Sequence, residues 1–273
     1  MIIYDDDEDI SETKQPQPTP GAPSPAPTRK PMKKSKKVRS MATEITQKGQ
    51  FFNVPGEVGK FLQAVERKPV HSVVITMDGE QGAGKTTTLY KFMEDFANGQ
   101  NTSLFLSLEE HPDSSLAIDK VNKYISPQNR NYIDTVGELE NKKELYDLVE
   151  DYEVIFIDSW QKLLRQVGNL RLDEDLRKKF DGKVFVIIFQ QTTTGRTKGG
   201  SEVVFDGDII IKMVKGEKFA DNYAYFDKNR YTKVPTETLA YNIAGGYVYN
   251  PQEQKVSTEK TEQPTQSSIF VDA

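Results

Sequence analysis

The chain has 273 residues, 36% of them hydrophobic, which is enough for one domain with a substantial core. It contains no cysteine, which excludes disulfide bonds, a thiolate nucleophile and a cysteine-based zinc site. The formal net charge of −5 means that any contact with nucleic acid must be local. The sequence offers no membrane-spanning stretch and no secretory signal, so we expect a cytoplasmic protein that does not bind membranes.

The two ends of the chain differ in composition from its middle. Residues 1–48 hold an acidic run, a proline-rich stretch and a basic cluster from Arg29 to Arg39, and residues 251–273 are polar. Such segments bury too little apolar surface to offset chain entropy. We therefore predict disordered tails at 1–48 and 251–273 around one folded domain at 49–250. The basic cluster is either a solvated linker or a contact for nucleic acid or another partner.

The apolar periodicity of the middle region predicts strands that alternate with helices. Helices are expected over 56–65, 87–97, 113–124 (with Asp113 as the cap), 142–149 and 172–180, and strands over 70–77, 103–108, 132–135, 154–158, 184–189 and 209–214. The segments 223–226 and 239–249 are expected to add antiparallel strands at the end. Continuously apolar strands between helices indicate a parallel sheet covered on both faces. Ligands of such sheets bind at the carboxyl ends of the strands.

The segment Gly79–Thr86 fits the pattern G-x-x-x-x-G-K-[ST] at every fixed position. It lies between a predicted strand and a predicted helix, as a phosphate-binding loop (P-loop) requires. Glycines let the backbone curl around phosphate oxygens, Lys85 supplies a charge for the β- and γ-phosphates, and the Thr86 hydroxyl can ligate Mg²⁺. The predicted phosphate-binding residues are Gly79, Glu80, Gln81, Gly82, Ala83, Gly84, Lys85, Thr86 and Thr87.

Further polar side chains follow the ends of other predicted strands. Asp158 ends an apolar strand and is the candidate carboxylate near Mg²⁺. Glu109 and Glu110 follow another strand, where a carboxylate could polarise a water molecule in line with the γ-phosphate; a solvated acidic pair is the alternative. Gln190 and Gln191 end the strand after Asp158, and by the period of two only one of them can point to the γ-phosphate.

These motifs, in this order, resemble the RecA-like core ATPases, and within them the RadA-type repair ATPases and the DnaB-type replicative helicases. The resemblance covers about residues 70–250. It implies an α/β fold in three layers, with a mainly parallel central sheet and antiparallel strands at the C-terminal end, and it implies ATP and Mg²⁺ as ligands, the metal near Thr86 and Asp158. The segment Ser107–Glu109 resembles the helicase segment that carries the water-activating glutamate, which favours Glu109. Gln191 falls where the family has its γ-phosphate-sensing residue.

The tripeptide Lys228–Arg230 extends this resemblance to assembly. RadA-like proteins have a Lys-Asn-Arg motif and DnaB-like helicases a Lys-x-Arg motif that reaches the ATP of the neighbouring subunit. The resemblance therefore implies that Lys228 and Arg230 join Lys85, Glu109 and Gln191 as catalytic residues, and that the protein is a homo-oligomer, as a hexameric ring or a filament. Tyr231 and Thr232 depart from the family pattern, and a basic hairpin tip is the alternative.

The polar loop Thr192–Ser201 lies where this family places its DNA-binding loop. Its glycines, hydroxyls and two cations suit a phosphate backbone without base readout, and Leu164–Asn169 is a second candidate. The leading hypothesis is a DNA-stimulated ATPase of recombination, repair or replication, a minimal core that would suit a bacteriophage in its host cytoplasm. The alternatives are a small-molecule kinase built on the same loop and an ATP-switched scaffold that recruits partners through tails such as residues 267–272.

Overall fold

A computed structural model describes residues 49–191 and 206–253. The Arg29–Arg39 cluster, the Thr192–Ser201 loop and residues 267–272 all lie outside the described residues. Residues 251–253, at the start of the predicted C-terminal tail, form a short helical turn. Within the part that the structure describes, no helix combines the length and apolarity needed to cross a bilayer.

The centre of the domain is a sheet of nine strands in the order β11-β10-β9-β8-β3-β7-β6-β4-β5. Its strands are β3 (Val73–Gly79), β4 (Ser103–Ser107), β5 (Ile133–Val136), β6 (Val154–Asp158), β7 (Val184–Gln190), β8 (Ile209–Val214), β9 (Tyr223–Asn229), β10 (Ala240–Asn242) and β11 (Tyr247–Tyr249). The six strands from β8 to β5 run parallel, and β9, β10 and β11 continue the sheet antiparallel at one edge. This is the predicted mainly parallel sheet with antiparallel additions at its C-terminal end. The short strands β1 (Gln50–Phe51) and β2 (Glu66–Arg67) form a separate antiparallel pair.

Helices cover both faces of the sheet. They are α1 (Gly56–Leu62), α2 (Lys85–Asn98), α3 (Ser115–Tyr124), α4 (Lys142–Glu150) and α5 (Trp160–Val167), together with a π-helix at Leu172–Arg177 and 3₁₀ turns at Pro127–Tyr132, Phe219–Asp221 and Thr236–Thr238. Side chains from α1, α2 and α3 share one apolar cluster with one face of the sheet. Side chains from α4, α5 and the π-helix share a second cluster with the other face. The result is the three-layer αβα arrangement.

The strand sequences explain why two cores form. All residues of β3 are buried, and because successive side chains of a strand point to opposite faces, Val73 and Ile75 enter the first cluster while Val74 enters the second. Aromatic rings fill each cluster: Phe96 contacts Phe156 edge-on in the first, with ring centroids 5.9 Å apart. Both faces of the central strands are therefore apolar, which is why they read as continuous hydrophobic runs.

Strand register brings the predicted polar positions to one edge of the sheet. Gly79 of β3 lies beside Gln190 of β7, and Ser107 of β4 lies beside Asp158 of β6. All four residues end parallel strands, so the loops that follow them leave the sheet on the same side. The predicted polar positions therefore lie at the same edge of the sheet, where Glu109, Asp158 and Gln190 line one cleft.

Three local predictions differ from the structure. Ser114, not Asp113, caps α3, since its hydroxyl accepts a hydrogen bond from the Ala117 N–H at 3.1 Å. The charged segment expected to be helical over 172–180 is a π-helix that ends at Arg177. Residues 164–167 of the second candidate DNA loop form the last turn of α5, which the sequence analysis did not predict.

Candidate nucleotide-binding site

The P-loop follows β3 directly and leads into α2. Gly82 and Gly84 have φ angles of +84° and +90°, which L side chains rarely adopt, so the loop needs glycine at both positions. The first turn of α2 presents backbone N–H groups without intrahelical partners, and the positive end of the helix dipole faces the same space. The Lys85 Nζ donates to the carbonyl oxygens of Gly79 and Glu80 at 2.6 and 2.8 Å. Burial lowers the pKa of Lys85 from its ordinary value.

A carboxylate meets the P-loop helix at the end of β6. The Thr86 hydroxyl donates to Asp158 Oδ2 at 2.8 Å, which joins the first turn of α2 to the strand. Asp158 is 5% exposed. Burial, helped by the nearby charge of Glu109 and opposed by the hydrogen bond from Thr86, raises the pKa of Asp158 to about 6. A nearby cation would stabilise the ionised form of such a buried carboxylate.

The two glutamates after β4 have different surroundings. The Glu109 carboxylate accepts a hydrogen bond from the Ser159 hydroxyl at 2.7 Å and lines the same cleft as Lys85. The Glu110 carboxylate pairs with Lys120 at 2.7 Å and accepts a hydrogen bond from the Ser114 hydroxyl at 2.9 Å. Glu109 thus lines the P-loop cleft, whereas the Glu110 carboxylate is held by α3 and its cap.

Both glutamines at the end of β7 line the cleft, but they differ in their contacts. The Gln190 side-chain amide donates to Glu109 Oε1, and the Gln190 backbone N–H donates to the Gln161 side chain at 3.1 Å. Gln191 is the last described residue before the gap at 192–205. The side chain hydrogen-bonded to Glu109 is thus Gln190, and the role of Gln191 at the γ-phosphate stays a prediction.

The site as a whole is a cleft of about 560 Å³ along the P-loop. Asp158, Glu109 and the two glutamines lie toward one end, and Phe219 lines another part of the wall. Lys120 and Phe219 were not singled out from the sequence. Lys120 lies on α3 and could have been found only from the tertiary contact with Glu110, and Phe219 lies in a polar connection that gave no periodic signal.

Lys228 and Arg230 lie far from this cleft within the same chain. Asn229 ends β9 and pairs with Ile209, the first residue of β8, so the tripeptide lies at the amino edge of the parallel strands. The P-loop follows their carboxyl edge, and the seven residues of β3 that separate the two edges span about 20 Å. Arg230 therefore cannot serve the P-loop of its own chain in this fold.

A buried carboxylate holds Arg230 at the amino edge. Asp208 is 1% exposed, and its Oδ1 accepts from Arg230 Nη1 at 3.2 Å and from Lys68 Nζ at 3.1 Å. Its Oδ2 accepts from the Val74 backbone N–H at 3.0 Å and lies 3.5 Å from Arg177 Nε. Sequence analysis missed Asp208, which precedes β8 without any motif. Its contacts come from three segments that are distant in the sequence, around residues 68–74, 177 and 230.

The residues present fit a magnesium nucleotide. Among residues 49–191 and 206–253, no group of three or more His, Cys, Asp or Glu side chains could hold a metal alone. Mg²⁺ needs no such cage, because it keeps several waters and binds one or two protein oxygens together with phosphate oxygens. The Thr86 hydroxyl and the Asp158 carboxylate supply that partial set beside a loop shaped for phosphates.

The parallel strand order, the P-loop after β3 and the acidic residues after β4 and β6 define a RecA-like P-loop fold. Solved structures share it. The chain is similar to the flagellar accessory protein FlaH from Methanocaldococcus jannaschii (TM-score 0.56, 12% identity, 71% of this chain and 95% of that one). It is also similar to a KaiC-like protein from Pyrococcus horikoshii OT3 (TM-score 0.51, 17% identity, 74% and 98%). A third likeness is to a DnaB-like replicative helicase (TM-score 0.52, 14% identity), of which the chain spans 63%.

At these identities the likenesses establish the fold. No protein-family model and no curated protein matches the sequence. The prediction of a RecA-like core is therefore confirmed by structure, without a sequence relative to carry the function.

Proposed function

We propose that this protein is an oligomeric ATPase that binds Mg·ATP along the P-loop and hydrolyses it to ADP and phosphate. One observation carries the proposal: Lys85, Thr86, Asp158 and Glu109 come from three separate segments and line one cleft. A phosphate loop alone could serve a kinase or a switch. A carboxylate beside it, held by hydrogen bonds and directed into the cleft, suits activation of water.

Each residue has a defined role in this proposal. The P-loop backbone and Lys85 bind the phosphates, and Thr86 and Asp158 hold Mg²⁺, which when bound neutralises charge on the β- and γ-phosphates. Glu109 accepts the proton of the attacking water. The Ser159 hydroxyl and the Gln190 amide orient its carboxylate. Because Gln190 touches Glu109 and Gln191 follows it at the strand end, this pair is suited to report loss of the γ-phosphate.

Assembly completes the proposed site. Arg230 lies at the sheet edge opposite the P-loop, and 58% of its side chain is exposed. A neighbouring copy packed with its amino edge against this cleft would bring Lys228 and Arg230 to the γ-phosphate. Cations supplied in this way stabilise the charge of the transition state.

We extend the proposal to DNA, as in a motor of recombination, repair or replication. One of the similar structures is a DnaB-like replicative helicase, and the Thr192–Ser201 loop and the Arg29–Arg39 cluster have compositions suited to phosphate backbones. The measurement for this part is the ATPase rate with and without single-stranded DNA. An unchanged rate, together with no DNA binding at low salt, would remove the DNA function and leave the ATPase.

The ATPase itself is tested by a matched pair of substitutions. Glu109→Gln should lower the rate of hydrolysis by about 10²–10⁴-fold, because the amide cannot accept the proton, while Mg·ATP still binds. Glu110→Gln is the comparison, since the Glu110 carboxylate is held by Lys120 and Ser114 and not by Ser159 and Gln190, and its rate should stay within about threefold of the original. Lys85→Ala should lose nucleotide binding as well as hydrolysis.

The same rate measurement separates the alternatives. If Glu109→Gln and Lys85→Ala both hydrolyse ATP at the original rate, the cleft is not the active site. If the original protein transfers phosphate to an added small-molecule acceptor much faster than to water, the kinase alternative replaces the ATPase. If it binds ATP with no turnover in any assembly state, the scaffold alternative does.

A further inference from the structure

An aromatic side chain borders the nucleotide cleft at the P-loop. Phe219 begins the 3₁₀ turn Phe219–Asp221 in the connection between β8 and β9, and it is 50% exposed. Its ring lines the cleft, and its Cε2 atom lies 3.4 Å from the position that a Cβ on Gly84 would occupy. Single exposed rings are common on protein surfaces. This ring, in contrast, lies beside the P-loop, where a bound nucleotide could contact it.

The two ends of the cleft differ in chemistry. The γ-phosphate end is marked by Glu109 and Gln190, whose side chains are hydrogen-bonded to each other. At Gly84 the loop meets the Phe219 ring, which lines the cleft, and Ile243, which is fully buried. A nucleotide whose phosphates follow the loop, with the γ-phosphate at Glu109, places its ribose and base beyond the opposite end of the phosphate chain. Among the described residues that line the cleft, Phe219 is the aromatic one beside the P-loop.

The connection that carries Phe219 is fixed to the P-loop. The Asn222 amide donates to the Gly82 carbonyl at 3.0 Å and accepts from the Gly216 N–H at 2.9 Å. The Asn242 amide donates to the Ala220 carbonyl at 2.9 Å. These hydrogen bonds hold the backbone that carries the ring before any ligand binds. Little conformational entropy of that backbone is therefore lost on binding.

Two amide side chains of this region are occupied by the backbone. Both ends of the Asn222 amide have backbone partners, and the Asn242 carbonyl oxygen accepts from the Gly245 N–H at 2.6 Å. These two amides are therefore not available to a base edge, whereas Phe219 offers the face of its ring. Stacking on a ring tolerates different bases, because every base has a π face, whereas discrimination needs hydrogen bonds to the base edge.

We propose that the Phe219 ring is the stacking platform for the base of the bound nucleotide, and that the site takes nucleoside triphosphates with little discrimination between adenine and guanine. This inference rests on the proposed nucleotide site. It adds the residue that binds the base and the class of substrate that the site accepts.

The test compares a ligand with a base and one without. Calorimetry would measure binding of Mg·ATP, Mg·GTP and Mg·tripolyphosphate to the original protein and to Phe219→Ala, Phe219→Tyr and, as a control, Phe51→Ala, which removes a ring that is 56% exposed outside the cleft. Phe219→Ala should weaken ATP and GTP about tenfold or more, in line with the loss of one base–ring stack. The affinity of every variant for tripolyphosphate should stay within about twofold of that of the original protein. Phe219→Tyr should keep the original affinity for ATP and GTP, because tyrosine has the same ring.

A spectroscopic signature separates stacking from a structural role of the ring. The chain has one tryptophan, Trp160, which is buried, so Phe219→Trp introduces an exposed reporter. ATP should quench its fluorescence and tripolyphosphate should not. Equal losses of ATP and tripolyphosphate binding in Phe219→Ala, or a preference for ATP over GTP above about tenfold, would overturn the inference. Original protein that binds neither ATP nor tripolyphosphate would overturn the proposed function instead.

Discussion

The buried Asp158 carboxylate lowers the stability of the folded protein, and we also propose that it binds the metal. Its pKa in the folded protein, about 6, lies above the value of about 3.9 for aspartate in an unfolded chain. Between those pH values the folded state binds more protons than the unfolded state, so stability falls as the pH rises through this interval. Above pH 6 the buried Asp158 charge lowers the free energy of unfolding by on the order of 2–3 kcal/mol, which corresponds to a pKa raised by about two.

We therefore expect Asp158→Asn to raise the free energy of unfolding of the metal-free protein at pH 7.5 by about 1–3 kcal/mol, and to give no gain at pH 4. The amide has no charge to bury and can still accept the Thr86 hydrogen bond. Urea unfolding at the two pH values measures the effect. Asp113→Asn, whose side chain is 91% exposed, is the control and should change little. If Asp158→Asn changes the free energy of unfolding by the same amount at pH 7.5 and at pH 4, the pKa argument is contradicted.

Single residues also mark the limit of what the sequence can predict. Lys85, Thr86 and Asp158 were found because their motifs fix them at the ends of a strand or a helix. Glu109 and Glu110 both follow β4, where strand periodicity no longer applies, and their different partners, Ser159 for Glu109 and Lys120 for Glu110, are seen only in the folded chain. Gln190 and Gln191 pose the same problem at β7. Asp208 could not be predicted at all, because its partners meet only in the folded chain.

At the scale of elements, Asp208 joins the amino ends of β3 and β8 to the π-helix and to the end of β9. Its carboxylate accepts from the Val74 backbone and from two cations, and it is almost fully buried. Removal of one partner from a buried ionic cluster leaves uncompensated charge, which typically costs 3–5 kcal/mol.

Asp208→Ala should accordingly lower the free energy of unfolding by about 3 kcal/mol or more, because Lys68, Arg177 and Arg230 then lose the carboxylate that they share. Denaturant unfolding measures this directly. Asp227→Ala on the same hairpin is the matched control, since Asp227 is exposed in β9, and it should stay within about 0.5 kcal/mol. A loss below about 1 kcal/mol for Asp208→Ala would show that the cluster contributes little to holding these elements together.

The elements themselves were predicted with uneven success, for identifiable reasons. Apolar strands buried on both faces gave a strong signal, and β6 and β8 have the predicted bounds. Helix α5 was missed because its eight residues follow Asp158 at once and hold only two fully buried side chains, Trp160 and Leu163. Gly168 beyond its end, with φ +78°, was the stop signal that could have found it.

At the scale of the whole molecule, the proposed shared site makes a prediction for mixed assemblies. If Arg230 acts on the neighbour, a cleft works when its own chain has an intact P-loop and the adjacent chain has Arg230. A half-and-half mixture of Lys85→Ala and Arg230→Ala subunits, each inactive alone, should then regain about a quarter of the full activity, because about one cleft in four combines an intact P-loop with a neighbour's Arg230. The ATPase rate at constant total protein measures this. Arg230→Ala alone should still bind ATP.

Mixtures of each variant with original subunits are the control in the same experiment. Both should retain about half of the activity, because a half-and-half mixture removes either half of the intact clefts or half of the supplied Arg230 side chains. If the mixture of the two variants stays inactive while both control mixtures are active, a residue supplied by the neighbour is contradicted.

The opposite placement of Arg230 and the P-loop also gives any such assembly a polarity. Subunits that join the front of one to the back of the next leave one unmatched cleft at one terminus of an open filament, whereas a closed ring leaves none. The last protomer of a filament would then retain unhydrolysed nucleotide as a cap, and short filaments would turn over more slowly per protomer than long ones.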